Sequence, residues 1–278
     1  MVSSARRGQK VVESYVHGYS PREAERLLDQ AAAVRDLIHY DTGYPAGSLV
    51  LEAGCGVGAQ TVTVARKSPG AEIVSVDISA ESLAAARAAA GEAGLTNVRF
   101  EQADVFGLPY PTESFDHVFV CYLLEHLADP AGALGCLRRV LKRGGSITVT
   151  EGDHGSCYWH PETAAALTAW RALIDTQARL GGDSLIGRRL YPILASAGFS
   201  GVRVSPRMVY CDASRPALMD GFVKKTIAAM VEGCRAKALE TGIVDAVSFD
   251  QGVADLYALG DNPDATFCYT FFKAVATK

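Results

Sequence analysis

The stretch Leu49-Val50-Leu51-Glu52-Ala53-Gly54-Cys55-Gly56-Val57-Gly58 decides the fold. Its aliphatic start reads as a buried strand, an acid follows, and glycines then recur at alternate positions. A strand that runs into a glycine-rich turn and then a helix is the usual opening of a nucleotide-binding α/β domain. The acid before the first glycine narrows the ligand. A carboxylate there would repel a pyrophosphate, whereas it suits a ligand that carries an ammonium group.

Outward from this stretch the pattern is regular. Upstream, Ser20-Pro21-Arg22-Glu23 is a helix start with a serine cap, a proline in the first turn and the acid of a capping box. The helix should reach His39, with Leu27, Ala31, Val34 and Ile38 on one face, before Thr42–Gly47 breaks it. Downstream, helix Ala59–Lys67, strand Glu72–Asp77, helix Ala80–Ala93, strand Val98–Gln102, strand Phe115–Cys121 and helix Pro130–Leu141 follow. A turn at Lys142–Gly145 then leads to strand Ser146–Glu151. Strands alternating with helical crossovers imply a parallel sheet covered on both faces.

These blocks, in this order, resemble the class I S-adenosylmethionine-dependent methyltransferases, and among them the type-11 group that includes quinone-biosynthesis and small-molecule methyltransferases. The resemblance covers about residues 45–150. It is carried by Glu52-x-Gly54-x-Gly56-x-Gly58, Val76-Asp77-Ile78-Ser79, Gln102-Ala103-Asp104-Val105, Leu108-Pro109 with Ser114-Phe115-Asp116, Leu123–Leu127, and Arg139–Gly145. Arg143 stands where the family usually has a proline, in a turn.

The resemblance implies an α/β fold of Rossmann-like class I type. That fold has a seven-stranded, mostly parallel sheet with an antiparallel last strand, here joined by a helical cap. It implies three regions: an arm and helix at 1–44 on the lid side, a cofactor-binding core at 45–151, and residues 152–278. The last region would complete the sheet near 202–210 and 266–275 and supply the cap. The implied cofactor is S-adenosyl-L-methionine, with S-adenosyl-L-homocysteine as product and no metal. Gly54, Gly56 and Gly58 would let the backbone approach it, and Glu52 would face its ammonium group. Asp77 would accept from both ribose hydroxyls, and Ile78, Asp104 and Val105 would hold the adenine. Cys121 and Tyr122 would line the methionine side.

Methyl transfer from a sulfonium needs in-line positioning above all, and a base when the acceptor loses a proton. His154 and His126 are the candidate bases. His154 follows the fifth strand, at the expected mouth of the site; His126 lies in a stretch shared across the family and reads equally as wall. Residues 152–160 read as a polar and aromatic loop. Candidate acceptor contacts are Tyr15, Tyr19, His154, Tyr158, Trp159 and Phe222. Farther along, helical stripes are expected over about 164–180, 185–197, 215–240 and 245–259. An apolar cap of this kind suits a hydrophobic or aromatic metabolite, methylated at C, N or O.

Composition bounds the alternatives. At 278 residues, with net charge -4, the chain lacks the basic balance that broad phosphate-backbone binding requires, so no nucleic acid is expected. No apolar run is long enough to span a membrane, and the N-terminus lacks a signal-peptide core, so a cytoplasmic location is expected. Seven cysteines without a C-x-x-C pair read as reduced thiols. A homo-oligomer formed through the N-terminal arm stays open. Gly54-x-Gly56-x-x-Ala59 with Asp77 also fits a nicotinamide-dependent reductase, but Glu52 and Asp104 argue against one. A cofactor-binding sensor or partner subunit without methyl transfer is the alternative from a different class.

Overall fold

The computed structural model describes residues 20–278. A seven-stranded sheet of order β3-β2-β1-β4-β5-β7-β6 forms its centre. Strands β1 (Leu49–Ala53), β2 (Glu72–Asp77), β3 (Val98–Gln102), β4 (Phe115–Cys121) and β5 (Leu141–His160) run parallel. β7 (Thr266–Thr277) enters antiparallel between β5 and β6 (Ser200–Cys211), so the last strand in the chain is the reversed one. Val50, Leu51, Ile73, Val74, Val118 and Val120 are fully or almost fully buried, as continuous aliphatic strands covered on both faces must be.

Helices α1 (Pro21–His39), α2 (Thr61–Lys67), α3 (Ala80–Glu92) and α4 (Pro130–Val140) fall where the sequence pattern puts them. Their starts are chemically marked. Ser20 accepts the backbone N–H of Glu23 at 3.2 Å, and Ser79 and Asp129 cap α3 and α4 in the same way. The Glu23 carboxylate also grips Arg26, at 2.6 and 2.8 Å.

The second half departs from expectation in two places. Residues 152–160 are not a loop but the continuation of β5, paired with β7 as far as His160 opposite Thr266. Twelve β7 residues with alternating large apolar side chains supply the ladder that holds them. Between the pairs Asp153–Thr270 and Cys157–Tyr269 the ladder jumps, so His154, Gly155 and Ser156 bulge out with no residue opposite. The helix expected over 215–240 is broken into α7 (Pro216–Leu218), a π-helical segment Met219–Ala228, α8 (Ala229–Gly233) and α9 (Arg235–Glu240). α5 (Ala164–Arg179), α6 (Leu190–Ser196) and α10 (Ala246–Leu259) complete the set.

Two large clusters share the interior. One packs α1, α5, the π-helical segment and α10 on Trp159, Val209, Phe267, Tyr269 and Phe271 of the extended strands. The other fills the opposite face with α4, α6 and the β4–β5 centre. The C-terminal end of α1 is pinned to the sheet. Buried Lys273 reaches Asp41 and Thr42 at 2.6 Å and the Ile38 carbonyl at 3.1 Å, and Arg207 takes the other Asp41 oxygen at 2.6 Å. No helix among the described residues is long and apolar enough to cross a membrane.

Candidate active site

A cavity of about 600 Å³ opens at the carboxyl ends of β1, β2 and β4 and is walled on its far side by α1, the π-helical segment and β7. Open α/β sheets bind ligands at this edge, and the volume lies within the range of small-molecule sites, about 300–1,000 Å³.

On the β1–β2 side the chain braces its own polar groups. The glycine turn is tied to β2, since Gly54 and Cys55 both donate to the Val76 carbonyl, at 2.8 and 3.0 Å. Gly54 and Gly56 have φ of +74° and +52°, a region that favours glycine. A Cβ on Gly54 would strike Leu123, whereas one on Gly56 would meet nothing within 4 Å. Asp77, at the end of β2, accepts from Gly56 N–H at 2.8 Å and Ser79 N–H at 2.9 Å, one on each oxygen. Each oxygen keeps a further lone pair for a ligand, and burial raises its pKa. Glu52 is almost fully buried, and one of its oxygens accepts from Ser75 and Thr61 at 2.6 and 2.7 Å. Burial pushes this carboxyl up to about 6, against those two hydrogen bonds.

On the β4–β5–β7 side, where Tyr122 and His154 line the cavity, buried polar atoms lack partners among the described residues. Tyr122 follows β4 with φ of +55°, its N–H held by the Thr150 carbonyl at 2.9 Å. Its buried hydroxyl has no hydrogen-bond partner among the described residues. A non-glycine residue held there stores about 1–3 kcal/mol, which the surrounding structure must enforce. Glu151, at the base of the bulge, accepts from the N–H groups of Leu123 and Leu124 at 3.1 and 2.8 Å. Burial, reinforced by Glu125, holds its carboxyl far above the usual range.

His154 is fixed on three sides. Its N–H donates to the Ser184 carbonyl at 2.9 Å, its carbonyl accepts from Trp170 Nε1 at 2.9 Å, and its ring stacks on Trp170 with centroids 5.1 Å apart. Nδ1 lies 2.8 Å from the Tyr269 hydroxyl, and Nε2 has no partner among the described residues. Burial lowers its pKa, so the ring is neutral at pH 7. His126, in the short turn Leu124–His126, is likewise lowered by burial and lies 3.7 Å from Glu125. Phe222, Ile227, Met230 and Phe271 give the remaining wall its apolar character.

Residues 51–149 match the family described as a methyltransferase domain. The chain is 39% identical over 102 residues to the demethylmenaquinone methyltransferase of Thermus thermophilus, covering 37% of this chain and 46% of that protein. It is 32% identical over 190 residues to an uncharacterized 37.1 kDa protein in a Streptomyces fradiae transposon, covering 67% of this chain and 54% of that one. The chain thus spans about half the length of the curated relatives it matches. The solved structure of the 4+2 cyclase SpnF superimposes with a TM-score of 0.53 at 22% identity, over 91% of this chain and 80% of that chain. That likeness speaks to the fold.

Within residues 51–149, Glu52, Gly54, Gly56, Asp77, Ile78, Cys121, Tyr122 and His126 all line the cavity, and His154 and Phe222 reach it from the second half. Other expected residues do not. Gly58 packs on Ala86 of α3 instead. Asp104 turns back to cap its own short helix, accepting from Phe106 N–H at 2.9 Å, and Val105 is buried in the core beneath. Both remain one strand from Asp77, whose carbonyl accepts Ala103 N–H at 3.0 Å. Because 152–160 is strand, its side chains alternate. Trp159 stacks on Phe267 in the interior, and Tyr158 points outward, 60% exposed. Neither lines the cavity. Tyr15 and Tyr19 lie outside the described residues.

Sequence reasoning missed Tyr269 and Phe271 on β7 and the Glu23–Arg26–Gln30 row on α1, all of which line the cavity. The signal for the first pair was present: Phe267, Tyr269 and Phe271 alternate, and so share one face of a strand.

Proposed function

We propose that this chain is an S-adenosylmethionine-dependent methyltransferase acting on a small, hydrophobic or aromatic acceptor. The observation that carries the reading is the single cavity shared by two unlike walls: the braced Glu52–glycine–Asp77 edge, and the aromatic wall that holds His154. The residues suit the cofactor. A Cβ-free Gly56 opens onto space, and Asp77 keeps lone pairs for a ribose diol. Buried Glu52 gains a partner for its carboxylate when an ammonium group arrives. The match of residues 51–149 to the methyltransferase domain family, and the likeness to a demethylmenaquinone methyltransferase, support the same assignment.

S-adenosylmethionine supplies a methyl group already activated on a sulfonium. The chain's own tasks are then placement and proton handling. Asp77 and the glycine turn fix one end of the cofactor, Ile78 flanks the base, and Glu52, Cys121 and Tyr122 border the methionine end. Phe222, Ile227, Met230 and Phe271 exclude water and orient the acceptor. His154, neutral and fixed, takes the proton that the acceptor gives up. His126 serves as wall beside Glu125. A cytoplasmic setting, a small-molecule acceptor and no nucleic-acid partner belong to the same proposal.

The fold also leaves a second reading, since the cyclase SpnF has a similar fold: cofactor binding without methyl transfer. The deciding experiment measures S-adenosylhomocysteine binding by calorimetry alongside transfer of a labelled methyl group from S-adenosylmethionine to a panel of phenols, naphthols, quinols and aromatic amines. Methylated product supports the proposal. Tight binding with no product from any acceptor overturns it in favour of the second reading.

A further inference from the structure

We propose that Tyr269 is a positioning residue that selects the tautomer of His154, a residue that borders the cavity, by holding the proton on Nδ1 so that Nε2 keeps the lone pair. The inference rests on the reading of His154 as the acceptor's base.

Three observations carry it. The Tyr269 hydroxyl is 2.8 Å from Nδ1, and Tyr269 lines the same cavity. Nε2 is sealed from solvent and has no hydrogen-bond partner among the described residues. The imidazole has no freedom to flip, because it is stacked on Trp170 at 5.1 Å, lies edge-on to Tyr269 at 5.8 Å, and has both backbone groups bonded.

A dry, unpartnered N–H is costlier than a dry, unpartnered lone pair, because carbonyl-like acceptors are left incomplete more often than N–H donors in folded proteins. That asymmetry favours the form with hydrogen on Nδ1. A phenol oxygen accepts that hydrogen and can rotate its own O–H toward the cavity. The other charged or titratable groups that bear on the ring are Glu125, His126, Asp153 and Arg26. Asp153 is occupied by Arg188 and Ser156, at 2.6–2.9 Å, which leaves Tyr269 as the described partner of Nδ1.

The step balances. The acceptor's heteroatom or carbanionic carbon forms the new bond to the methyl carbon. The carbon–sulfur bond breaks with its electron pair going to sulfur. The acceptor's proton moves to Nε2, giving an imidazolium whose Nδ1–H still donates to Tyr269. The bulge at 154–156 makes the contact possible, since it lifts His154 out of the ladder just where Tyr269 pairs with Cys157.

The tautomer can be read without knowing the acceptor. The full chain, labelled with nitrogen-15 histidine and saturated with S-adenosylhomocysteine, gives two-bond proton–nitrogen correlations for its six histidines, and His154→Gln identifies the one that matters. The expected pattern is a protonated Nδ1 and a bare Nε2 in the wild type. Tyr269→Phe should lose that pattern in favour of Nε2–H or a mixture, and Tyr269→Gln, whose amide oxygen can accept the same hydrogen, should restore it. Hydrogen on Nε2 in the wild type overturns the proposal, and so does an unchanged pattern in Tyr269→Phe. If Tyr269→Phe does not fold, the wild type and Tyr269→Gln decide the matter.

With 2-naphthol and aniline as probes, Tyr269→Phe should lower kcat at least tenfold and leave KM for S-adenosylmethionine within twofold. A wild type that shows the tautomer but methylates no acceptor removes the methyl-transfer reading and leaves the Tyr269–His154 contact standing.

Discussion

The two walls of the cavity are built on opposite terms. At the β1–β2 edge each carboxylate is engaged by the chain itself: Glu52 by Ser75 and Thr61, Asp77 by two backbone N–H groups. At the β4–β5–β7 edge the Tyr122 hydroxyl and His154 Nε2 are buried with no partner among the described residues. Unmade hydrogen bonds are costly, about 1–3 kcal/mol each, so a ligand that completes one beside the cavity gains affinity from it. The first wall is preorganised for a ligand held in one pose. The second, in the proposed reading, keeps its binding capacity for the acceptor.

The contrast can be broken most sharply at Asp77. Asp77→Ala removes the brace on Gly56 and, in the proposed reading, both bonds to the ribose, so it should weaken S-adenosylhomocysteine binding by ~1,000-fold, or about 4 kcal/mol, from two charge-assisted hydrogen bonds. Calorimetry checks this, and near-wild-type affinity would show that the β2 carboxylate does not hold the ribose. His154→Gln acts on the other wall. It should cut kcat by about 100-fold, the lower range of acid–base catalysis, with cofactor affinity unchanged within twofold. A loss of cofactor affinity to match would mean that His154 belongs to the first wall.

A smaller effect separates two glycines on one turn. Gly54→Ala meets both a positive φ and Leu123, so it should cost about 2–3 kcal/mol of stability in denaturant titration. Gly56→Ala meets only the positive φ and should cost about 1 kcal/mol. The smallest effect sharpens the electrostatics of Glu52. Its carboxyl is raised by burial to about 6, so below its ordinary value it is neutral whether the chain is folded or not. Above about 6 the folded chain carries the cost of a buried charge, so stability falls as pH rises through the window from 4.5 to 6. An ammonium group beside it would pull the value back down. Cofactor binding at pH 6 should therefore release about half a proton, read from calorimetry in buffers of different ionisation enthalpy. Glu52→Gln should abolish the release.

The first wall was legible in the sequence because it is made by backbone. Glycines at 54, 56 and 58 report a turn geometry, and acids at 52 and 77 sit at strand ends that periodicity locates. The second wall is made by tertiary contact between segments far apart in sequence. His154 and Tyr269 are 115 residues apart, and nothing local announces their meeting. Residues 152–160 read as a loop because glycines, Asp153 and Ser156 suppress strand propensity there; the partner strand overrides it. Trp159 then follows strand alternation into the core. The π-helical segment was equally hidden, since Leu218, Phe222, Ile227 and Val231 fit an ordinary helical stripe, and the widened winding that brings Phe222, Thr226 and Ile227 to the cavity leaves no mark on that spacing.

The bulge at His154–Ser156 has a consequence for how this protein could diversify. Pairing is intact on both sides of it, from Ser146 to Asp153 and from Cys157 to His160. An inserted or deleted residue within those three positions would re-aim His154, the proposed base, while the flanking ladder kept its register. The glycine turn, two strands away in the sheet, would be untouched. Reaction preference can thus drift at one hairpin without any renegotiation of cofactor binding.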